Sequence, residues 1–571
     1  MTVAAAACLR AFKKMAEQSP LNGSTDSIIN EDMTVRSGSC QLKTALNVVL
    51  ISGFIIVGCV VLGILLVVRP GIETNPEYGV VFDAGSTHTS VFVYQWPGNE
   101  RLRGTAVPVN EIYHATQDPG ISSFGNDTKA AGASLEILIK NATRNVPQDK
   151  KSTTPVYLGA TAGMRMVREV NSTISDDIMS SIRNVLGKSG FQFTANNTRI
   201  ITGEEEGSCG WITVNYLKKV LQEKDKEDIK QSSGALDLGG ASTQITFVPR
   251  NASLATRHFR LYGKDYPVYT KTYLCYGLTE IYRRFLAQLA KNADYSATIS
   301  NPCARKGSSF NQSASIIWLA PCSCQPSPKP TRAQFTFVGS SNDSECTENI
   351  MKLFDFRSTC RDADDLFSND TQPPVTGSFV AFSAYYHIAN NLNLSTTPTM
   401  EEFRNAYLTY CSKKGAEVKQ SHTFVRRIPT CFAGHYIYAL LTHGFGFHNN
   451  TWKISFEKTV DKKSLGWALG YMINATNMIP LNDSKHTRIK DVYLIPAVVV
   501  CGICILIGLI LCLKFSRKKG NSSENCDDDG DDGGGDGSDG DGNYSGGSGG
   551  DDDGGSCDGG GGGMLMVMVE Y

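Results

Sequence analysis

One short pattern occurs twice in this chain, and it constrains the fold more than any other feature. The first copy is Tyr78-Gly-Val-Val-Phe-Asp83-Ala-Gly85-Ser86-Thr87-His88-Thr89-Ser-Val-Phe-Val-Tyr94. The second is Ala235-Leu-Asp237-Leu-Gly239-Gly240-Ala241-Ser242-Thr243-Gln244-Ile-Thr-Phe-Val248. Each is an apolar strand ending in Asp, then a tight Gly/Ser/Thr turn, then a strand of β-branched and aromatic residues. Each therefore predicts a β-hairpin with Asp at its mouth. Two copies, 154 residues apart, predict a duplicated α/β fold with two similar turns facing each other across a cleft.

The residue types of the turns suit phosphate. Glycine lets backbone N–H groups come close to phosphate oxygens, and Ser and Thr hydroxyls add neutral donors. An Asp repels phosphate directly, but it can hold a divalent cation that bridges to it. Two further stretches lie between the copies. Tyr157-Leu-Gly159-Ala-Thr161-Ala-Gly163-Met-Arg165 reads as a strand entering a turn and then a helix. Thr161 is a candidate phosphate donor. Arg165 either neutralises phosphate or braces the loop through a buried ion pair. In Ile200-Ile-Thr202-Gly203-Glu204-Glu205-Glu206-Gly207, three acids stand at a strand-to-helix junction. They are either compensation of the helix dipole or a catalytic carboxylate that deprotonates water. The flanking glycines and the place between two phosphate loops favour the second.

Two uncharged apolar runs, 45–68 and 492–513, flank this region and are long enough to span a bilayer as helices. Lys13, Lys14, Arg36 and Lys43 precede the first, and Lys514, Arg517, Lys518 and Lys519 follow the second. This bias puts both ends in the cytosol, 1–44 and 514–571, and the long loop outside. The loop carries sequons at Asn126, Asn141, Asn171, Asn196, Asn251, Asn311, Asn342, Asn369, Asn393, Asn449, Asn474 and Asn482, as expected of a glycosylated ectodomain. Nine of the 17 cysteines also lie in it, which favours disulfides and leaves at least one thiol over. The segment from Asn521 holds 12 Asp, 2 Glu and no basic residue, which leaves 55 basic residues against 42 acidic ones over 1–520. No basic block is dense enough to argue for nucleic acid. The Gly/Asp-rich tail cannot build a core and is expected to be disordered. The glycines of the two apolar runs show no strict four-residue spacing, so a homo-oligomer held through the membrane is left open.

In this order, the four stretches resemble the first four signature regions of the ectonucleoside triphosphate diphosphohydrolases, or ecto-apyrases. Gly377-Ser-Phe-Val-Ala-Phe-Ser383-Ala-Tyr-Tyr386-His387 resembles the fifth, and Gly466-Trp467-Ala-Leu-Gly470-Tyr-Met-Ile-Asn474 resembles the C-terminal signature. The resemblance covers about 77–484. With its two spans the chain looks like the cell-surface members of the family, and most like the subtype numbered eight. It implies an actin-like (ribonuclease H-like) fold of two lobes, 77–202 with 464–484 and 203–463. It implies plasma-membrane hydrolysis of extracellular ATP, ADP, UTP and UDP with calcium or magnesium.

By the same resemblance Glu206 is the base, and Ser242 and Gln244 position the water. Asp83 and Asp237 hold the cation through water. Gly85, Ser86, Thr87, His88, Thr161, Arg165, Gly239, Gly240, Ala241, Tyr386 and His387 contact the nucleotide. The implied disulfides are Cys275 with Cys322, Cys303 with Cys346 and Cys411 with Cys431. Several positions depart from the family: the early disulfide is absent, Cys209 and His387 stand where relatives carry aromatics, and His443 and Leu278 stand where some relatives carry arginine. A phosphotransferase of the same fold, a kinase or a polyphosphatase-like enzyme, is the competing reading, followed by a non-catalytic receptor ectodomain.

Overall fold

The computed structural model describes residues 76–98, 108–222, 231–262, 264–323, 325–354, 372–415 and 428–476, with scattered positions in the two apolar runs. The isolated positions described in 45–68 and 492–513 are helical, and the remainder of both runs lies outside the described residues, as do 1–44 and the Gly/Asp-rich tail. Among the described residues no helix is long and apolar enough to cross a membrane. Contacts divide the chain into two units, 1–70 with 485–571, and 71–484.

The first sheet contains β1 (Pro76–Ala84), β2 (Thr89–Pro97), β3 (Asn110–Gln117), β4 (Val156–Ala160) and β5 (Thr198–Ile200), in the order β3-β2-β1-β4-β5. The second contains β6 (Gly234–Leu238), β7 (Ser242–Phe247), β8 (Arg257–Leu261) and β9 (Lys264–Leu274). A separate three-stranded sheet, β10 (Thr298–Asn301), β11 (Ser309–Ser313) and β12 (Gln334–Gly339), intervenes in the chain. The second sheet is then completed by β13 (Phe379–Ser383) and β14 (Ile454–Phe456), in the order β14-β13-β6-β7-β9-β8. In both sheets the first strand has an antiparallel hairpin partner on one side, extended by further antiparallel strands (β3 in the first sheet, β9 and β8 in the second), and two parallel strands on the other side. The duplication read from two turns thus extends to whole sheets of mixed α/β architecture.

Burial follows strand position. The apolar run Gly79–Phe82 is buried in β1 because that strand lies inside its sheet, whereas β3 alternates exposed and half-buried residues because it lies at the edge. Helices α1 (Thr128–Ala133), α2 (Glu136–Arg144), α3 (Ala162–Val170) and α4 (Ser172–Gly187) follow the first meander. Leu138 of α2 and Ile178 and Ile182 of α4 form one core with Val80, Phe82 and Val91. A second core joins Leu236, Ile245 and Phe379 of the other sheet to later helices.

Between the sheets lies α5 (Gly203–Leu217), buried from Glu206 to Leu217. A helix buried on all sides shows no amphipathic stripe, and so its place between two layers was not readable from periodicity. The remaining helices of eight residues or more are α6 (Leu278–Asn292), α7 (Asp343–Met351), α8 (Ala384–Asn391), α9 (Met400–Ser412), α10 (Thr430–Ala439) and α11 (Trp467–Thr476). A third core gathers Trp211 and Val214 of α5 and Trp467 and Met472 of α11 with Val81 of one sheet and Val380 of the other.

Helices α5 and α11 meet at Gly470, whose N–H donates to Thr213 Oγ1 at 2.8 Å. A Cβ at Gly470 would stand 1.9 Å from the carbonyl oxygen of Cys209. Backbone cannot swing away as a side chain can. Gly470→Ala is therefore expected to destabilise the domain by about 3 kcal/mol or more. Denaturant titration reads this, with Gly466→Ala as control, since a Cβ there meets nothing within 4 Å.

The structure joins Cys275 to Cys322, Cys303 to Cys346 and Cys411 to Cys431, the three pairs that the resemblance implies. Cys209 is a buried free thiol, and Cys324 and Cys360 lie outside the described residues. Of the sequon asparagines, Asn369 and Asn482 lie outside as well. Asn141 and Asn474 are half-buried and the other eight are exposed.

Candidate active site

Both hairpins form as expected. Ala84 pairs with Thr89 across the first turn, and Leu238 with Thr243 across the second. The two turns face each other. A Cβ built on Gly240 would lie 2.8 Å from Ser86 Oγ and 3.2 Å from Thr87 Cγ2, so a side chain there would force those of the first turn to shift. The second turn is pinned with its carbonyls outward. Gly239 O accepts from Leu278 N at 2.9 Å, Gly240 O from Thr279 N at 2.8 Å and Ala241 O from Cys275 N at 2.8 Å. Among the described residues no hydrogen bond uses the N–H groups of Gly240 and Ala241 or of Ser86 and Thr87. Buried N–H groups without acceptors are rare, and a cleft that concentrates them is built for an anion.

The cleft holds ≈ 390 Å³ and is lined by Asp83, Gly85, Ser86, Thr87, His88, Thr161, Glu206, Asp237, Gly239, Gly240, Ala241, Ser242 and His387 among others. Gln244 and Arg165 stand behind this surface. Tyr386 does not line it, and its ring packs against that of His387 at 5.4 Å. Of the two roles open to Arg165 in the sequence, the structure realises the ion pair. Its guanidinium donates to Glu206 Oε2 at 3.0 Å, to Ile201 O at 3.0 Å and to Ser242 Oγ at 3.3 Å. These three acceptors hold it behind the cleft wall, on Glu206 and Ser242, which line the cleft themselves. Gln244 is buried, and its Nε2 lies 2.8 Å from Ser242 Oγ, 3.1 Å from Thr272 Oγ1 and 3.3 Å from Glu206 Oε2.

The three successive acids divide their work. Glu205 closes a capping box with Thr202, accepting from its N–H at 3.0 Å while Thr202 Oγ1 accepts from Glu205 N at 3.1 Å. Its two oxygens also accept from Arg199 at 2.7 and 2.8 Å. Glu206, one residue on, turns inward to the cleft. Burial raises its pKa, and Arg165 opposes that rise. Asp83 and Asp237 sit half-buried at the ends of β1 and β6. Lost solvation and repulsion from Glu206 push each up to about 7. Three carboxylates that raise one another in a partly dry cleft form a site short of positive charge. An all-oxygen set of two carboxylates beside hydroxyls fits a hard divalent cation.

Sequence reasoning singled out neither Ser383 nor Trp467 for the site. Ser383 lines the cleft, faces the Asp237 carboxylate and lowers its pKa, and adopts φ 58°, ψ −127°, a strained conformation for a residue with a side chain. It occupies the strand-to-helix junction of the second repeat, as Thr161 does that of the first, and that correspondence is a signal the sequence carries. Trp467 lines the cleft from α11, where its indole N–H faces Asp83. The exposed Lys458 and His114 also lie along the cleft, at sites no motif marks.

Comparison with known proteins agrees with this geometry. Residues 71–490 match the GDA1/CD39 (nucleoside phosphatase) family. The chain is 37% identical over 438 residues to ectonucleoside triphosphate diphosphohydrolase 8 of Gallus gallus, covering 72% of this chain and 85% of that protein. It is 36% identical over 487 residues to ectonucleoside triphosphate diphosphohydrolase 3 of Mus musculus, covering 81% and 90%. Among solved structures, a nucleoside triphosphate hydrolase from Neospora caninum shares the fold, with a TM-score of 0.53 at 17% identity over 71% of this chain and 93% of that one. The paired turns, the inward Glu206 and these matches together place the chain in the GDA1/CD39 (nucleoside phosphatase) family.

Proposed function

We propose that this protein hydrolyses nucleoside tri- and diphosphates to the monophosphate and orthophosphate. The observation that carries this reading is the cleft itself. Unused backbone donors of two opposed turns and three mutually repelling carboxylates converge there. Donors of this kind grip a polyphosphate by charge and shape rather than by its length. A diphosphate can therefore be cut in the place where a triphosphate was.

In this reading Glu206 is the base. Arg165 holds its carboxylate in place and favours its charged form against the effect of burial. Ser242 Oγ accepts from Gln244 and Arg165, which leaves its own hydrogen to orient a water. That water gives a proton to Glu206 and attacks the terminal phosphorus in line, while the bond to the bridging oxygen breaks. Gly85, Ser86, Thr87, His88, Thr161, Gly240 and Ala241 donate to phosphate oxygens, Gly239 shapes the turn with its own N–H bonded to Ser242 O at 3.0 Å, and His387, with Tyr386 behind it, bounds the cleft on the second-sheet side. A divalent cation, calcium or magnesium, held near Asp83 and Asp237 would neutralise charge on the phosphate chain.

The two apolar runs as membrane spans, both ends in the cytosol, a glycosylated ectodomain and an actin-like pair of lobes at 77–202 with 464–484 and at 203–463 complete the proposal. Its support is the charge bias, the exposed sequon asparagines, the disulfides and the repeated sheet topology.

Intact cells expressing the chain are expected to release phosphate from added ATP and then from ADP, without an acceptor, and chelator is expected to stop both. A requirement for an acceptor would favour the phosphotransferase reading.

Arg165→Met is expected to lower kcat by about 10–100-fold. The sign of the pH effect follows from the pair. Arg165 favours the charged form of Glu206, so its loss lets burial raise that pKa further, and the acid limb of kcat moves to higher pH. A pH–rate profile of both proteins reads the shift, and an unmoved limb would contradict the role given to Arg165.

A further inference from the structure

We propose that a second cavity is an effector site for a planar aromatic anion. It holds ≈ 490 Å³ and shares no lining residue with the cleft. Its walls come from both sheets and both central helices: Arg199 on β5, Arg257 and Phe259 on β8, Tyr471 on α11 and Cys209 on α5, with Tyr157 on β4.

Charge selects an anion. Arg199 is matched by Glu205 through two short hydrogen bonds. Arg257 is half-buried and, among the described residues, has neither an ion pair nor a hydrogen bond. Arg257 acts on Glu205 at longer range, so two guanidiniums face one carboxylate and the lining keeps a net positive charge on a group that pairs with planar oxyanions in fork geometry. Shape and surface select a ring. Tyr157 and Tyr471 meet edge to face at 5.5 Å, and Phe259 adds a further aromatic wall. Burial pushes the Cys209 thiol up to about 12, so it presents a neutral, apolar surface. The volume falls within the range of small-molecule sites.

Position gives the site an effect. Glu205 lines this cavity and Glu206 lines the cleft, and the two are neighbours in the first turn of α5. An anion that draws Arg199 from Glu205 disturbs both the ion pair and the capping box, and so the turn that aims Glu206. This effect, unlike binding itself, rests on Glu206 being the base.

The test is calorimetric titration of the purified full chain with 2-naphthoate. Binding is expected, at least about tenfold weaker for the neutral 2-naphthamide and for an Arg257→Ala protein, since a charge-assisted contact of this kind contributes at least about a factor of ten. Arg257→Ala without naphthoate is expected to hydrolyse nucleotide at the parent rate. Binding should survive saturation of the cleft with a non-hydrolysable nucleotide, and naphthoate should lower kcat while leaving KM unchanged. No binding, equal binding by Arg257→Ala, or displacement by nucleotide would overturn the site. Arg257-dependent binding with unchanged kcat would overturn the effector role. The binding arms do not depend on turnover, so they decide the site even if Glu206 proves not to be the base.

Discussion

Replacing Glu206 with Gln lowers kcat by about 10³-fold, the expected result if this carboxylate removes the proton of the attacking water. Gln keeps the volume of the side chain and a carbonyl oxygen able to accept from Arg165. The change therefore removes basicity more than shape. The donors of the two turns remain, and so does some residual hydrolysis. Binding of a non-hydrolysable nucleotide should change little, because Glu206 is assigned to water and not to phosphate. Loss of the carboxylate charge leaves the Arg165 guanidinium in a buried setting without its counter-ion. Some loss of stability accompanies the variant, so folding must be checked by thermal melting. A folded Glu206→Gln protein releasing phosphate at the parent rate would refute the mechanism.

Asp237→Asn separates activity from stability. Phosphate release at limiting cation is expected to fall by about 100-fold and to recover in part when the cation is raised. The stability of the cation-free protein moves the other way. Asp237 is raised from 3.8 to about 7 in the folded state, first by burial and then by Glu206. Between those values the folded protein keeps a proton that the unfolded chain has lost. Stability without cation therefore falls as pH rises through that window, and the loss is complete above about pH 7. Asn carries no charge to desolvate and no repulsion toward Glu206 or Asp83. The variant is thus expected to melt a few degrees above the parent at about pH 8 without cation, and at the same temperature at about pH 3. Added cation should raise the melting point of the parent above pH 7 more than that of the variant. A lower melting point for Asp237→Asn at about pH 8 would show that the carboxylate is stabilised by partners not identified in the site.

Much of the site was legible because it is local. A strand, a Gly/Ser/Thr turn and a second strand occupy adjacent residues, and turn chemistry depends on neighbours a few positions away. Hence Asp83, Gly85 to His88, Asp237 and Gly239 to Ser242 line the cleft as the two hairpins led one to expect. Glu206 was singled out among three acids by resemblance. What distinguishes it physically is rotation. Glu205 is turned to Arg199 and the capping box, and the next residue must point elsewhere on the helix. Trp467 escaped because it reaches the site from a helix far along the chain with no donor pattern around it, and Ser383 because its likeness to Thr161 shows only when the second repeat is laid over the first.

The sequence by itself determined the repeated Asp-led hairpins, the strand-to-helix turn at Thr161, the acidic start of α5 and the excess of cysteine and sequons between two apolar runs. These are properties of residues next to one another, set by backbone freedom, side-chain chemistry and solvation. Only the tertiary structure decided that Arg165 serves Glu206, that α5 is buried between the sheets and that a second cavity opens beside Glu205. Those outcomes depend on which faces meet when distant layers pack, and a helix buried on every side leaves no periodic trace of its neighbours.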